Sequence, residues 1–316
     1  MNEEIAPDAL IPYLREQYAL EDPITCSLIR RGFNDSYLVE AAADKFVFRV
    51  YFRDKYYIAG PDDFRWEHDL LAHLHENGVP VCPPIPTRAG YTLGSITDAY
   101  GERSCALFSF APGEPPAKTD LARAGNLGEI TARTHLAADR FTTTYHRYHF
   151  DLRYLIAQPL QLMDDFLKNQ RRAGVGGYRA AIALQESLIS VLGQELPAYG
   201  PIHGDLHRGN VLADGNGMTL IDFDHGGYGW RAYDIASCTG GMPEEAWSAF
   251  IESYEKLRPL EPSEHSAIEA FRLVRPIWDM GDVLAMREAW SNHSDFGPEF
   301  ADRIEEMLKR QFGKLG

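Results

Sequence analysis

The chain has 316 residues, 45% of them apolar, so it can bury a large core and suits two lobes better than one. Its net charge of −15 disfavours nucleic acid as a partner, and no apolar run of about 18 residues or signal-peptide pattern points to a membrane. The four cysteines are scattered without a C-x-x-C pair, which argues against a disulfide framework or a zinc site and fits a cytoplasmic protein.

The first part of the chain predicts a meander of antiparallel strands with two helices. Apolar alternation between turn residues predicts strands over residues 24–29, 36–41, 45–52, 91–97 and 104–110. Helical apolar spacing covers residues 6–19 and 62–77. The Pro/Gly-rich segment 111–116 then breaks the pattern. We interpret it as a hinge between an N-terminal lobe, residues 1–110, and a C-terminal lobe, residues 111–316.

After the hinge the apolar period changes to that of helices. Predicted helices cover residues 121–138, 152–169, 178–196, 234–239, 241–257, 263–290 and 300–312. Residues 141–150 are aromatic and polar without a clean period, which indicates a long loop. The second lobe is therefore expected to be mainly helical.

One stretch of this second part carries most of the side chains suited to chemistry. Residues 201–224 read PIHGDLHRGNVLADGNGMTLIDFD. Two short apolar runs flank residues 214–217, whose Asp-Gly-Asn-Gly sequence is typical of a β-hairpin turn. Folding that hairpin brings Asn210 back beside Asp222, with Asp205 on the loop just before it. A desolvated carboxylate needs a partner or a cation, so these residues are candidates for a site.

The three side chains suit a hard-cation site with a base nearby. Mg²⁺ prefers oxygen ligands and usually takes one or two from protein, which Asn210 and Asp222 would supply. Asp205 would then stand where an acceptor hydroxyl loses its proton. Phosphoryl transfer asks the protein mainly for positioning, charge neutralisation and a well-placed base, so the pattern predicts that reaction. The alternative is a hairpin whose polar ends are simply solvated.

The order of these residues resembles a known family. His203-x-Asp205, Asn210 five residues after the aspartate, and Asp222 after one hairpin follow the kinase signature. The sequence pattern HGDLHxGN followed by IDFD resembles that of the aminoglycoside-phosphotransferase and choline-kinase branch of the kinase fold. This branch includes homoserine kinase-like and bacterial stress-response kinase-like members. The resemblance implies an α+β, bilobal protein-kinase-like fold, with a small antiparallel β-sheet N-lobe and a mainly helical C-lobe. It also implies ATP and Mg²⁺ as cofactors.

The same resemblance implies roles in the C-terminal half. Asp205 is expected to be the catalytic base, Asn210 and Asp222 to bind Mg²⁺, and Asp224 to be an accessory ligand. Asp234 is expected to brace the catalytic loop by accepting backbone N–H bonds. His135 of the segment around residues 127–135 is expected to pack or cap.

Nucleotide contacts are implied in the N-terminal lobe. Arg49 stands where kinases carry a phosphate-gripping lysine, and its planar fork suits phosphate. Glu67 on the following helix is its expected partner. Residues 31–36 are not a Gly-x-Gly-x-x-Gly loop, but their backbone and Ser36 are placed to reach phosphate oxygens. Adenine is expected to hydrogen-bond backbone around Ser109 and Ala111.

These residues predict an ATP- and Mg²⁺-dependent phosphotransferase acting on a hydroxyl of a small metabolite of the amino alcohol, amino acid, aminoglycoside or sugar type. The FDL element at residues 150–152 also resembles Ser/Thr protein kinases of the bacterial stress response, which is the alternative acceptor class. Residues 204–207 match part of a metallophosphoesterase signature, but its other metal motifs are missing from the sequence. A nucleotide-binding pseudokinase scaffold is the non-enzyme alternative, which the intact Asp205, Asn210 and Asp222 disfavour.

Overall fold

A computed structural model of the chain describes residues 4–215, 217–286 and 296–313. The contacts divide the chain into two units. The first unit contains Met1–Glu114, Thr142–Arg147 and Leu212–Asp224. The second unit contains Pro115–Phe141, Tyr148–Val211 and His225–Gly316. The lobes proposed from the sequence are continuous segments, whereas the first unit takes in two later pieces of chain; the division at residue 110 stays a prediction.

Both units contain strands and helices. The strands are β1 (Ile24–Arg30), β2 (Asn34–Ala41), β3 (Asp44–Tyr51), β4 (Pro84–Ile85), β5 (Gly94–Asp98), β6 (Gly101–Ser109), β7 (Tyr199–Ile202), β8 (Val211–Ala213), β9 (Met218–Leu220) and β10 (Gly227–Trp230). The helices are α1 (Pro7–Gln17), α2 (Pro61–Glu76), α3 (Leu121–Ala138), α4 (Gln158–Asn169), α5 (Arg179–Ser190), α6 (Arg231–Thr239), α7 (Glu244–Glu255), α8 (Pro262–Ala285) and α9 (Pro298–Phe312).

The first unit is built on an antiparallel sheet. Its strand order is β1-β2-β3-β6-β4, with β5 paired to β6 outside this path. Alternate residues of β2 are buried, because side chains of a strand point to opposite faces. Tyr37 and Val39 on the buried face form one core with Leu10 and Leu14 of α1. The predicted meander is confirmed.

The loop between β1 and β2 is shorter than the sequence predicts. The strand β2 begins at Asn34, two residues before the expected start at Ser36. Asp35 is buried in this strand, and its Oδ2 lies 2.9 Å from Nη2 of the buried Arg103. A buried ion pair holds the carboxylate inside the sheet, whereas the sequence favoured a turn because aspartate is common there.

The second unit is mainly helical, as predicted. Its strands β7 and β10 form a two-stranded antiparallel sheet. The helices α3 and α7 approach closely at Gly128, where a Cβ atom would lie 2.1 Å from the Phe250 carbonyl oxygen. Any larger residue at position 128 would push the two helices apart. Among the residues that the structure describes, no helix combines the length and the apolar character needed to cross a bilayer.

Several helix boundaries differ from the predicted ones or lie at undescribed residues. The π turn Arg153–Ala157 runs directly into α4, and Pro159, which has no N–H for the preceding turn, lies just after this change of helix type. The helix α5 ends at Ser190, before the expected end at residue 196. The helix α8 is described to Ala285, and the predicted continuation over residues 287–290 lies outside the described residues.

The start predicted for α6 was wrong. This helix begins at Arg231, three residues before Asp234. Asp234 therefore lies within the first turn and does not open the helix. Its carboxylate accepts hydrogen bonds from the backbone N–H groups of His203 and Gly204. Its charge therefore stabilises the loop after β7.

Candidate active site

Arg49 and Glu67 form a buried ion pair within the first unit. Arg49 Nη1 lies 2.8 Å from Glu67 Oε1, and Tyr51 Oη lies 3.3 Å from Glu67 Oε2. The guanidinium also lies over the ring of Phe108, 4.9 Å from its centre. Burial raises the pKa of Glu67, against the lowering effect of the Arg49 charge. The predicted pairing is confirmed, while the phosphate-binding role of Arg49 stays a prediction.

Ser36 lies beside Arg49 in the sheet. The two residues are directly opposite in the β2–β3 pairing, so their side chains share a face. The neighbouring pair, Tyr37 and Phe48, faces the other way into the core with α1. Ser36 and Arg49 are therefore two polar groups on the face that α1 leaves uncovered.

Ser109 and Ala111 mark the end of β6. The backbone N–H of Ser109 donates to the Pro83 carbonyl at 3.1 Å. A nucleotide that contacts Ser109 would therefore use its carbonyl oxygen. Ala111 is buried two residues later. Their predicted contacts with adenine stay a prediction.

Asp222 lies just after β9 and faces Arg49. Its φ is 64°, in the left-handed region that aspartate tolerates better than most residues. Its Oδ1 lies 3.3 Å from Arg49 Nη2. This oxygen is buried and accepts no hydrogen bond from the described residues. Arg49 supplies charge to this oxygen without a hydrogen bond, which leaves its lone pairs available to a donor or to a metal ion.

Asp224 is held by a lysine that the sequence did not point to. Lys55 Nζ lies 2.7 Å and 2.6 Å from the two carboxylate oxygens, and Tyr57 Oη donates to Oδ2 at 2.9 Å. Both Lys55 and Asp224 are buried. Burial lowers the pKa of Lys55, against the raising effect of the Asp224 charge. The accessory metal role predicted for Asp224 stays a prediction, since a cation there would compete with Lys55.

Asp205 lies in the second unit, on the loop that follows β7. Gly204 before it has a φ of 78°, and a Cβ atom there would lie 2.3 Å from the His225 carbonyl oxygen. Glycine is therefore required at this turn. Asn210 Nδ2 donates to the Asp205 carbonyl at 2.9 Å and lies 3.3 Å from its Oδ2. The amide oxygen of Asn210, the atom that Mg²⁺ would use, is the other end of that side chain.

Asp234 braces this loop, as predicted. It accepts the backbone N–H of His203 at 2.7 Å and that of Gly204 at 2.9 Å. His135 lies on its other side, with Nε2 at 3.4 Å from Asp234 Oδ2 and Nδ1 at 2.7 Å from Tyr254 Oη. Burial lowers the pKa of His135 to about 4, so the ring is neutral at pH 7. The expectation that His135 packs is confirmed.

Arg275 on α8 contacts the carboxylate of Asp205. Its Nη2 lies 2.5 Å from Asp205 Oδ1, and His207 Nε2 lies 3.5 Å from Oδ2. Burial acts to raise the pKa of Asp205, but the charge of Arg275 holds it below its ordinary value. Asp205 is therefore ionised at pH 7. The sequence did not point to Arg275, because it lies 70 residues away on a helix without a recognisable motif.

The donors available for a metal ion are few and come from separate side chains. Between residues 4 and 313, outside the undescribed gaps, no cluster of three or more His, Cys, Asp or Glu side chains is placed to hold a metal ion. A site that uses one carboxylate and one amide, with water and phosphate as the other ligands, would not form such a cluster. An amide oxygen, as in Asn210, and a carboxylate, as in Asp222, are donor types that Mg²⁺ accepts, and their role as its ligands stays a prediction.

Comparisons with known proteins identify relatives along most of the chain. The sequence model of a family described as "Phosphotransferase enzyme family" matches residues 25–264. A homoserine kinase from Nitrobacter winogradskyi is 28% identical over 285 residues, which cover 84% of this chain and 80% of that protein. An uncharacterized protein from Deinococcus radiodurans is 34% identical over 309 residues, which cover 95% of this chain and 86% of that protein.

A solved structure confirms the fold class. The microcompartment-associated aminopropanol kinase matches with a TM-score of 0.73 and 24% identity, over 95% of this chain and 94% of that chain. At this identity the likeness shows the fold alone. The antiparallel sheet of the first unit and the helices of the second are those of the kinase-like fold.

Proposed function

Because the chain belongs to the phosphotransferase enzyme family, we propose that it transfers the γ-phosphate of ATP, in the presence of Mg²⁺, to a hydroxyl of a small metabolite. It is a kinase with a hydroxyl acceptor, and the nucleotide, the metal and the residue roles are the proposed part. The four cysteines are free, which supports placing it in the cytoplasm.

The observation that carries the proposal is the way in which Asp205 is held. Asp234 fixes the backbone before it, Asn210 fixes its carbonyl, and the carboxylate is ionised. An ionised and positioned carboxylate is what an acceptor hydroxyl needs in order to give up its proton. The hydroxyl oxygen forms the new P–O bond, ADP leaves with the electrons of the old one, and the proton goes to Asp205.

The metal and phosphate groups are assigned to the remaining side chains. Asn210 and Asp222 are the proposed Mg²⁺ ligands, with Asp224 accessory to them. Bound Mg²⁺ neutralises charge on the phosphates as it develops. Arg49 is proposed to bind phosphate oxygens through its fork, and the buried Glu67 of α2 keeps that fork in place.

The nucleotide would also contact the sheet. Ser36 shares the face of Arg49 and is proposed to bind phosphate. The Ser109 carbonyl and the Ala111 backbone are proposed to bind adenine. The acceptor is proposed to be a small hydroxyl compound, because the relatives include a homoserine kinase.

Replacement of the base tests the proposal. Asp205→Asn keeps the shape of the side chain and should lower turnover about 10²- to 10⁴-fold, the usual contribution of a general base. Product should be followed by ³¹P NMR with ATP, Mg²⁺ and a panel of amino alcohols, hydroxy amino acids, sugars, aminoglycosides and a generic protein. Asp302→Asn is the matched control, since that carboxylate is exposed and paired with Arg172. Near-native turnover by Asp205→Asn would refute the assignment.

A further inference from the structure

Arg275 is a buried cation whose three nitrogens all contact side chains of the second unit. Its Nη2 lies 2.5 Å from Asp205 Oδ1, its Nη1 donates to Ser237 Oγ, and its Nε lies 2.8 Å from Asp279 Oδ1. The guanidinium also lies 4.7 Å from the centre of the Trp278 ring. Only 12% of the side chain is exposed. The position of this cation is therefore well determined by its contacts.

This arrangement conflicts with the proton transfer expected of Asp205. One of its oxygens binds Arg275, and the other faces Asn210 and His207. Both carboxylate oxygens therefore have donors, and the guanidinium occupies the position from which an acceptor hydroxyl would donate to Oδ1. An acceptor hydroxyl can reach Oδ1 when the guanidinium moves to another anion.

The fork of Arg275 is oriented so that such an exchange needs little movement. Its Nε contact with Asp279 anchors the guanidinium to α8, since the two residues are four apart on one helix. The two terminal nitrogens, now on Asp205 and Ser237, form the end of the fork that binds a planar carboxylate with two hydrogen bonds.

We propose that Arg275 binds a carboxylate of the acceptor and releases Asp205 as it does so. The acceptor is then a hydroxyl compound that carries a carboxylate, such as a hydroxy amino acid, and an amino alcohol without one leaves the base paired. This inference rests on the proposed kinase function and narrows its substrate class. Arg275 is a specificity-determining residue in this scheme, and Asp205 remains the base.

Two pairs of acceptors that differ by one carboxylate test the inference. They are L-homoserine with 3-aminopropan-1-ol, and L-serine with ethanolamine. We expect wild-type kcat/KM to be higher for the carboxylated member of the pair that is used. In Arg275→Gln, kcat/KM should fall about 10- to 100-fold for that member, the usual loss of a charged hydrogen bond. It should rise for the amine, because the base is released and a repelling charge is gone.

Further variants separate this role from a structural one. Arg275→Lys keeps the charge without the fork, so it should raise KM for the carboxylated acceptor more than it changes kcat. Arg272→Gln is the control on the same helix: Arg272 contacts Glu269, Thr239 and the Trp247 ring, and its loss should keep the wild-type preference. A purely structural role of Arg275 would lower kcat/KM for both members of a pair alike.

The outcomes that overturn the inference are distinct from those that overturn the kinase assignment. A wild-type preference for the amine, or an Arg275→Gln variant that keeps the wild-type preference, refutes the inference. The inference is also refuted if the protein binds ATP but phosphorylates neither carboxylated acceptor. The kinase assignment stands in that case. Absence of ATP binding refutes the assignment itself. The wild-type preference decides the matter even if Arg275→Gln does not fold.

Discussion

The pair of Lys55 and Asp224 gives a sharp test of what stabilises the first unit. The perturbation is Lys55→Met, which keeps the length of the side chain and removes its charge. Lys55 Nζ contacts both carboxylate oxygens of Asp224 and lies 2.7 Å from Asn34 Oδ1, and its side chain is completely buried. Removing one partner of a buried ion pair usually costs about 3–5 kcal/mol, because the other charge stays in the interior.

We therefore expect Lys55→Met to lower the free energy of unfolding by about 3–5 kcal/mol. The double variant Lys55→Met/Asp224→Asn removes both charges and should be more stable than the sum of the single effects predicts, by about 1–3 kcal/mol. Equilibrium unfolding in urea, followed by circular dichroism, measures all four proteins.

Lys45→Met is the matched control for this experiment. Lys45 in β3 lies 3.0 Å from Glu40, but half of its side chain is exposed. Exposed ion pairs contribute about 0–1 kcal/mol, so this variant should be nearly as stable as the wild type. The reasoning is refuted if the Lys45 and Lys55 variants lose similar stability, or if the effects at Lys55 and Asp224 are additive.

Three further predictions concern buried groups. Asp234→Ala should lower the free energy of unfolding by about 2–5 kcal/mol, because two buried N–H groups lose their acceptor; thermal unfolding that matches the wild type would contradict this. Burial lowers the pKa of His68 to about 3 and that of His135 to about 4, both below the ordinary 6.5. The unfolded chain binds these protons first, so stability is complete above pH 6.5 and falls below it, by about 3 kcal/mol at pH 5.5 in urea unfolding; a flat profile would exclude the two neutral rings. Glu67→Gln should raise KM for ATP roughly 10-fold, because the charge that holds Arg49 is lost; an unchanged KM would argue against that role.

The motifs and the family resemblance that they carry predicted two contacts of the candidate site. The resemblance to the kinase family suggested Arg49 and Glu67 as partners, and the structure places them 2.8 Å apart. The bracing role of Asp234 was also predicted correctly, although the start of its helix was not. A helix begins where backbone hydrogen bonds begin, and an aspartate that binds another loop does not mark that point.

Contacts between distant positions could not be predicted in this way. Lys55 and Asp224 are 169 residues apart, and Arg275 is 70 residues from Asp205. Neither lysine nor arginine carries a periodic signal that names its partner, and both residue types are usually exposed. The burial of these cations follows from tertiary packing, which brings their carboxylates to them. The residues of the motif were therefore easier to predict than the distant cations that pair with its carboxylates.

The discontinuity of the first unit has a consequence for folding during synthesis. Its first segment ends at Glu114, but its last segment ends only at Asp224, more than a hundred residues later. At about 5–20 residues per second, the ribosome needs roughly 5–20 s to supply the missing hairpin. During this interval Lys55 has no Asp224 to pair with. A nascent chain halted before residue 224 should thus be more sensitive to protease around Lys55 than one halted well beyond it.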